Sequence, residues 1–336
     1  MQCISKPNIS YQLTVNKMST IIYAVLHVIL SIFIPSANLL VIIVVCRLKK
    51  RRSCRNYVFI LNLAAADLLV GVMCIGDALD DATDALFDTD LVFCLIRICM
   101  GITPCIGSIL TLLLVSLDKY LAVKLPLHYP SLMSKKCVIL SLVVLWVLSS
   151  LVGHMPLISS GLRQNKLKGN CGLLSAAKSD YLYIICFGIF IPALLILVCL
   201  HISIGRIAYL QHKQIQRSCL HANIPSAHLC FSKALRTILI VIVSFIVFWG
   251  PYYGTAIVKA TCKSCNLSPL LRDFLFLLGE TNSLINPFVY SLYNKDIRTE
   301  FARLMKCKGK GQIKPFFQII KQYIQSPVQK TREVQF

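Results

Sequence analysis

The sequence predicts an all-α membrane protein, a bundle of seven transmembrane helices followed by a short amphipathic eighth helix on the membrane surface. Two observations carry the prediction. Hydrophobic residues fill 56% of the 336 positions and charged residues only 15%, with a mean hydropathy of +0.70, whereas soluble domains run at about 45–50% apolar and about 25% charged. The apolar residues also gather in runs of the roughly 20 residues that a bilayer-crossing helix needs. A net charge of +21 would point to nucleic acid in a soluble chain. Here its placement argues against nucleic acid as a partner and for contact with membrane lipids.

Residues 1–19 are polar and hold Asn8-Ile9-Ser10, which makes Asn8 a glycosylation acceptor in an expected extracellular N-terminus. With no apolar core or cleavage site in this stretch, the first span is expected to act as its own signal. The membrane-spanning body then covers 20–293, with spans at 20–46, 56–79, 91–117, 137–157, 181–209, 234–260 and 270–293. Of the 35 Lys and Arg residues, 25 lie in or beside the first, third and fifth connections and the tail. Six of the eight acids on the other side are Asp77, Asp80, Asp81, Asp84, Asp88 and Asp90. By the positive-inside rule the N-terminus is extracellular and the tail cytoplasmic.

Residues 294–307 place Ile297, Phe301, Leu304 and Met305 on one face at helical spacing, an amphipathic membrane-surface helix that ends at Cys307, a palmitoylation candidate. The basic cytoplasmic tail, 308–336, repeats an apolar spacing at Phe316, Ile319, Ile320, Tyr323 and Ile324. That piece is compatible with a second surface helix and equally with disorder. Most of the 16 cysteines fall in spans or on the cytoplasmic side and read as small buried hydrophobes. Cys94 opens the third span and Cys171 precedes the fifth, so a bond between them would pin that loop over the bundle. Cys262 and Cys265 read as a local disulfide. His27, His154 and His201 lie in spans without the His and carboxylate spacing of a zinc site and read as core residues. These residues point to no catalytic site, cofactor or zinc centre.

Five motifs occur in order, one per expected helix: L-A-A-A-D at Leu63 to Asp67, D-K-Y at Asp118 to Tyr120, Trp146, F-W-G-P at Phe248 to Pro251, and N-P-F-V-Y at Asn286 to Tyr290. Together they resemble the rhodopsin-like G-protein-coupled receptors over about 20–307. The resemblance implies a heterotrimeric G protein as partner, arrestin as a further one, and an allosteric sodium ion held by Asp67, Ser108, Asn282, Ser283 and Asn286. A polar cluster bridged by water is the other reading of those five. It also implies a two-state bundle whose moving parts are Pro192, Ile109, Phe245, Trp249, Pro251, Pro287 and Tyr290, although plain core packing accounts equally well for Ile109 and Phe245. Asp118, Lys119, Tyr120, Pro126 and Leu127 would meet the G protein. The family's usual Arg is Lys119 here, whose charge lacks the planar fork, so its pairing with Asp118 is expected to be less well defined. Cys230, Phe231, Ser232 and Lys233 stand where the sixth helix usually carries an acid, which implies elevated basal signalling.

Gly101, Glu280 and Ala256 occupy positions where amine receptors, opsins and adenosine receptors carry their anchoring Asp, Lys and Asn. The segments 167–171, 233–237 and 277–287 and the Cys262/Cys265 pair resemble lipid-sensing members of the family. Those members imply a plasma-membrane receptor for a fatty-acid ethanolamide or lysophospholipid that raises cyclic AMP through Gs. The ligand site is then expected among Arg97, Asp77, Gly101, Trp249, Phe276 and Glu280, with a lipid phosphate on Arg97 and an ammonium on Asp77; an Arg97 to Asp ion pair that merely staples two helices is the other reading of these charges. A receptor for a basic peptide or amine, drawn by the Asp cluster, is the alternative, and a seven-span hydrolase or transporter is the second.

Overall fold

The structure, a computed structural model, describes residues 9–51, 56–82, 90–166, 171–219, 229–262, 265 and 268–308. Eight helices organise them: α1 (Ile9–Arg51), α2 (Asn56–Ala82), α3 (Leu91–Lys124), α4 (Lys135–Gly153), α5 (Ser179–Tyr183 continuing through Ile184–Phe190 and Ile191–Cys219), α6 (Leu229–Thr261), α7 (Pro269–Tyr293) and α8 (Lys295–Lys308). Single turns at Tyr129–Leu132, Met155–Ile158 and Leu173–Ala176 lie in the connections. Among the described residues the only β pairing is the isolated bridge between Arg163 and Ala177.

Six of the helices, α1 to α6, are long and apolar enough to cross a membrane. α7 falls short on composition because Arg272, Asp273, Glu280, Asn282, Ser283 and Asn286 dilute its apolar residues. Four of these polar groups, Glu280, Asn282, Ser283 and Asn286, are buried. A helix whose polar face meets other helices rather than lipid can remain inside a bundle.

α3 forms the axis, with 18 of its 34 residues buried. Its start is capped by Asp90, which accepts from the Val92 amide at 2.7 Å. α4 is peripheral and exposes Ile139, Leu140, Val143 and Val147, as a lipid-facing helix would. It is tied inward by Trp146 Nε1 donating to Asn62 Oδ1 at 2.8 Å, while Asn62 Nδ2 donates to Thr111 Oγ1 at 2.7 Å. The bends expected at Pro251 and Pro287 fall inside α6 and α7. Pro192 follows a π-helical stretch, Ile184–Phe190. Its missing N–H and its ring's clash with the carbonyl four residues earlier give that widening a cause.

α8 starts at Asn294, whose Oδ1 accepts from the amides of Asp296 and Ile297. Ile297 is buried and Phe301 and Leu304 are half-buried against the bundle. Glu300, also buried, takes Arg51 of α1 and Arg303, each at 3.0 Å. Asn8, the 316–324 stretch and the side chains of Cys307 and of residues 230–233 lie outside the described residues.

Candidate ligand pocket and signalling core

A cavity opens at the end of the bundle where α3 begins. The loop before α5 covers it, fastened by the Cys94–Cys171 disulfide, so that Cys171, Gly172 and Leu173 form part of the wall. A second disulfide closes Cys262 to Cys265 after α6. The floor is aromatic. Trp249 meets Tyr252, Tyr253 and Phe276 with ring centroids 6.1–6.3 Å apart, and Tyr253 stacks on Phe190 at 4.0 Å. Gly279 allows α7 to approach this floor, because a Cβ there would lie 2.6 Å from the Trp249 ring. Below, Phe190 packs on Phe245, and Ile109 shares the same buried core.

Of the residues expected to meet a ligand, Arg97, Asp77, Gly101, Trp249 and Phe276 line the cavity. Glu280 is not on its wall. It lies fully buried behind it, with Oε2 3.5 Å from His27 Nε2. Gly101 does more than remove an anchor, since any Cβ at that position would overlap the Met73 sulfur, which fills the space. The wall also includes Tyr252, Tyr253, Arg272 and Asp273, which the sequence did not single out, and His27, which read as a core residue. Arg272 and Asp273 form a pair at 3.0 Å at the mouth. Their signal was available, as two adjacent opposite charges opening an apolar span.

The expected division of a zwitterionic head group between Arg97 and Asp77 meets an obstacle. Arg97 Nε faces Asp77 Oδ1 at 2.8 Å, and its Nη1 donates to Asp80 Oδ2. The two side chains proposed to receive opposite charges of a ligand neutralise each other instead. Helical spacing brings Asp77 and Asp80 to one face of α2 opposite Arg97 on α3, which makes the trio a clamp between these helices.

Midway down the bundle, Asp67, Ser108, Asn282, Ser283 and Asn286 are all buried. Asn286 Nδ2 donates to Asp67 Oδ2 at 2.9 Å, and Asn38 Nδ2 donates to the Ser283 carbonyl at 3.0 Å. Oδ1 of Asn282 and Oδ1 of Asn286 have no hydrogen-bond partner among the described residues. A buried carboxylate beside unsatisfied amide oxygens fits a hard cation that takes oxygen ligands. Tyr290 is buried nearby, and its hydroxyl has no hydrogen-bond partner among the described residues.

At the opposite end the Asp118 and Lys119 pair is better defined than expected. Lys119 Nζ reaches Asp118 Oδ2 and Asn56 Oδ1, both at 2.6 Å, and Tyr129 donates to Asp118 Oδ1 at 2.8 Å. A point charge can accept two acceptors from different helices, so Asn56 of α2 supplies the definition that Lys lacks by shape. Tyr120 is half-buried, Pro126 is exposed, and Leu127 is 90% exposed, a free apolar side chain beside this network.

Comparison with known proteins follows the same lines. The family described as 7 transmembrane receptor (rhodopsin family) matches residues 37–290. The chain is 32% identical over 294 residues to the glucose-dependent insulinotropic receptor of Homo sapiens, covering 85% of this chain and 87% of that protein. The receptor of the same name from Rattus norvegicus is 30% identical over 292 residues, which span 85% of this chain and 62% of its own length. The 5-hydroxytryptamine receptor 7 of Xenopus laevis is 30% identical over 331 residues, 86% of this chain and 77% of that one.

Proposed function

Since the chain belongs to the rhodopsin family of seven-transmembrane receptors, we propose that it is a plasma-membrane receptor for an amphiphilic lipid, coupled through Gs to cyclic AMP. Receptors of this family are multi-pass membrane proteins that act on heterotrimeric G proteins. The basic connections and tail argue for a cytoplasmic C-terminus and an extracellular pocket mouth. One observation carries the lipid reading: a wall of Ile98, Ile102, Met73 and Phe276 leads to an aromatic floor, while the two cations of the lining, Arg97 and Arg272, are each paired with a carboxylate. An acyl chain would lie against the floor. Because Arg97 is already held by Asp77 and Asp80, an uncharged head group such as an ethanolamide, hydrogen-bonding at the Arg272–Asp273 pair, suits the mouth better than a phosphate.

The chain's own residues supply a route from pocket to G protein. A ligand pressing on Trp249 moves the ring against Gly279 and Phe276, and Pro251, two residues further along α6 toward the mouth, gives the helix a bend about which to swing. That swing repacks Phe245 against Ile109 and Phe190. When bound, a sodium ion at Asp67, Ser108, Asn282, Ser283 and Asn286 would supply positive charge that favours the compact arrangement. Tyr290, lacking a hydrogen bond in this arrangement, gains one by moving. Lys119 and Leu127 then present a cation and an apolar knob to the G protein. With no acid at 230–233, basal signalling is expected above background.

A second reading, a receptor for a cationic amine or basic peptide, draws on Asp77 and Glu280, two buried carboxylates at and behind the cavity wall. Against it, Met73 fills the place of the usual amine-anchoring Asp. Competition binding on the purified receptor in lipid nanodiscs separates the two. Displacement of a labelled fatty-acid ethanolamide by unlabelled lipid but not by monoamines supports the lipid reading, and the reverse order overturns it.

A further inference from the structure

Three helices converge on one buried point beside the cavity. His27 of α1, Asp77 of α2 and Glu280 of α7 each offer a donor atom, and these atoms all lie within 4.8 Å of one another. No local pattern announces it, because the three residues lie on three helices and are separated by 50 and 203 positions in the chain.

Glu280 is the informative member. Its side chain is fully buried, and neither carboxylate oxygen has a hydrogen-bond partner among the described residues. Asp77 is 2% exposed. Its Oδ1 faces Arg97, while its Oδ2 makes no hydrogen bond among the described residues. Asp77 and Glu280 thus bring two buried carboxyl groups close together, and buried charges are normally compensated.

We propose that His27, Asp77 and Glu280 form a zinc site that ties α1, α2 and α7 together beneath the pocket. A dication compensates two neighbouring buried carboxylates, and one imidazole with two carboxylates is a donor set that zinc accepts, whereas calcium and magnesium take oxygen ligands. At Zn–N and Zn–O distances of about 2.0–2.2 Å, tetrahedral ligand atoms stand about 3.3–3.6 Å apart. The His27 Nε2 to Glu280 Oε2 distance of 3.5 Å already meets that spacing, and the remaining pairs need to close by little more than 1 Å at most. Arg97 then steadies the Asp77 ligand from outside, as partners of metal-bound carboxylates do. His27 and Asp77 both line the cavity, so ions enter from its mouth and the fourth coordination position faces the pocket. The site stands whichever ligand class the pocket takes.

The test uses full-length receptor purified without ligand and stripped with a chelator. Zinc chloride should raise the thermal unfolding temperature saturably, with one zinc per receptor by elemental analysis and no matching effect of magnesium or calcium chloride. His27→Ala and Glu280→Gln should each weaken zinc binding by about tenfold or more. His27→Cys, which keeps a zinc-binding atom, should retain it, and this variant decides the matter if His27→Ala does not fold. No response to zinc, an equal response to magnesium or calcium, or zinc binding unchanged in Glu280→Gln would overturn the site. The first result would leave Asp77 and Glu280 sharing a proton instead.

Discussion

Replacing Arg97 with Gln tests whether the cation at the pocket mouth is a clamp or a ligand anchor. Arg97 is 27% exposed in its side chain, but its partners Asp77 and Asp80 are only 3% and 5% exposed. Glutamine keeps the stem and removes the charge, leaving two carboxylates buried without their counter-ion. Breaking a buried pair by removing one partner costs about 3–5 kcal/mol, and the partial exposure of Arg97 places the loss at the lower end, about 3 kcal/mol. At about 2–4 °C per kcal/mol for a large domain, the unfolding temperature of the purified receptor should fall by about 6–12 °C. Surface expression should fall with it. Adding Asp77→Asn and Asp80→Asn to the same chain removes the stranded charges and should restore most of the loss. If Arg97→Gln unfolds at the parent temperature, the clamp contributes nothing and the reasoning fails. A selective loss of lysophospholipid potency, with ethanolamide potency and stability intact, would return Arg97 to the role of head-group anchor.

Three further substitutions probe the path below the pocket. Asp67→Asn keeps shape and hydrogen-bonding capacity but removes the charge that a sodium ion requires, so sodium should lower agonist affinity about fivefold or more in the parent and not in the variant; an unchanged sodium response would place the ion elsewhere. Lys119→Ala strands the fully buried Asp118 carboxylate and removes the cation offered to the G protein. Agonist-driven cyclic AMP should fall about tenfold, the equivalent of one charge-assisted hydrogen bond, while Lys119→Arg retains it and ligand binding survives in both; equal signalling from all three would make the charge a bystander. Gly279→Ala puts a methyl group 2.6 Å from the Trp249 ring, and such overpacking costs about 1–3 kcal/mol. A lower unfolding temperature is expected, and an unchanged one would show that the indole moves aside freely.

How much of this was legible in the sequence depends on whether the signal is local. Apolar runs revealed α1 to α7 directly, α7 included despite its polar residues. The meeting of Asp67 and Asn286 was implied by the family resemblance that the motifs carry. The Cys94–Cys171 bond followed from placing the cysteines on the expected loops. What escaped was the meeting of residues on different helices with no motif around them. His27 read as an isolated core histidine, because nothing in its own span suggests Asp77 or Glu280 across the bundle. Glu280 was expected on the pocket wall, yet the rotation of α7 turns it toward α1. Lys119 was expected to pair loosely because Asn56, the acceptor that fixes it, begins α2 some sixty residues earlier. Glu300 likewise gave no periodic signal, although its two arginines anchor α8 to the bundle.

The central claim, that an amphiphile in the aromatic-floored pocket drives Gs, is tested most directly by cyclic AMP accumulation in cells expressing the receptor at measured surface density. The account predicts basal cyclic AMP above that of untransfected cells and a saturable further rise with a fatty-acid ethanolamide, with no rise for monoamines or basic peptides. Basal levels equal to the untransfected control and no response to the lipid, or a response to amines alone, would contradict it.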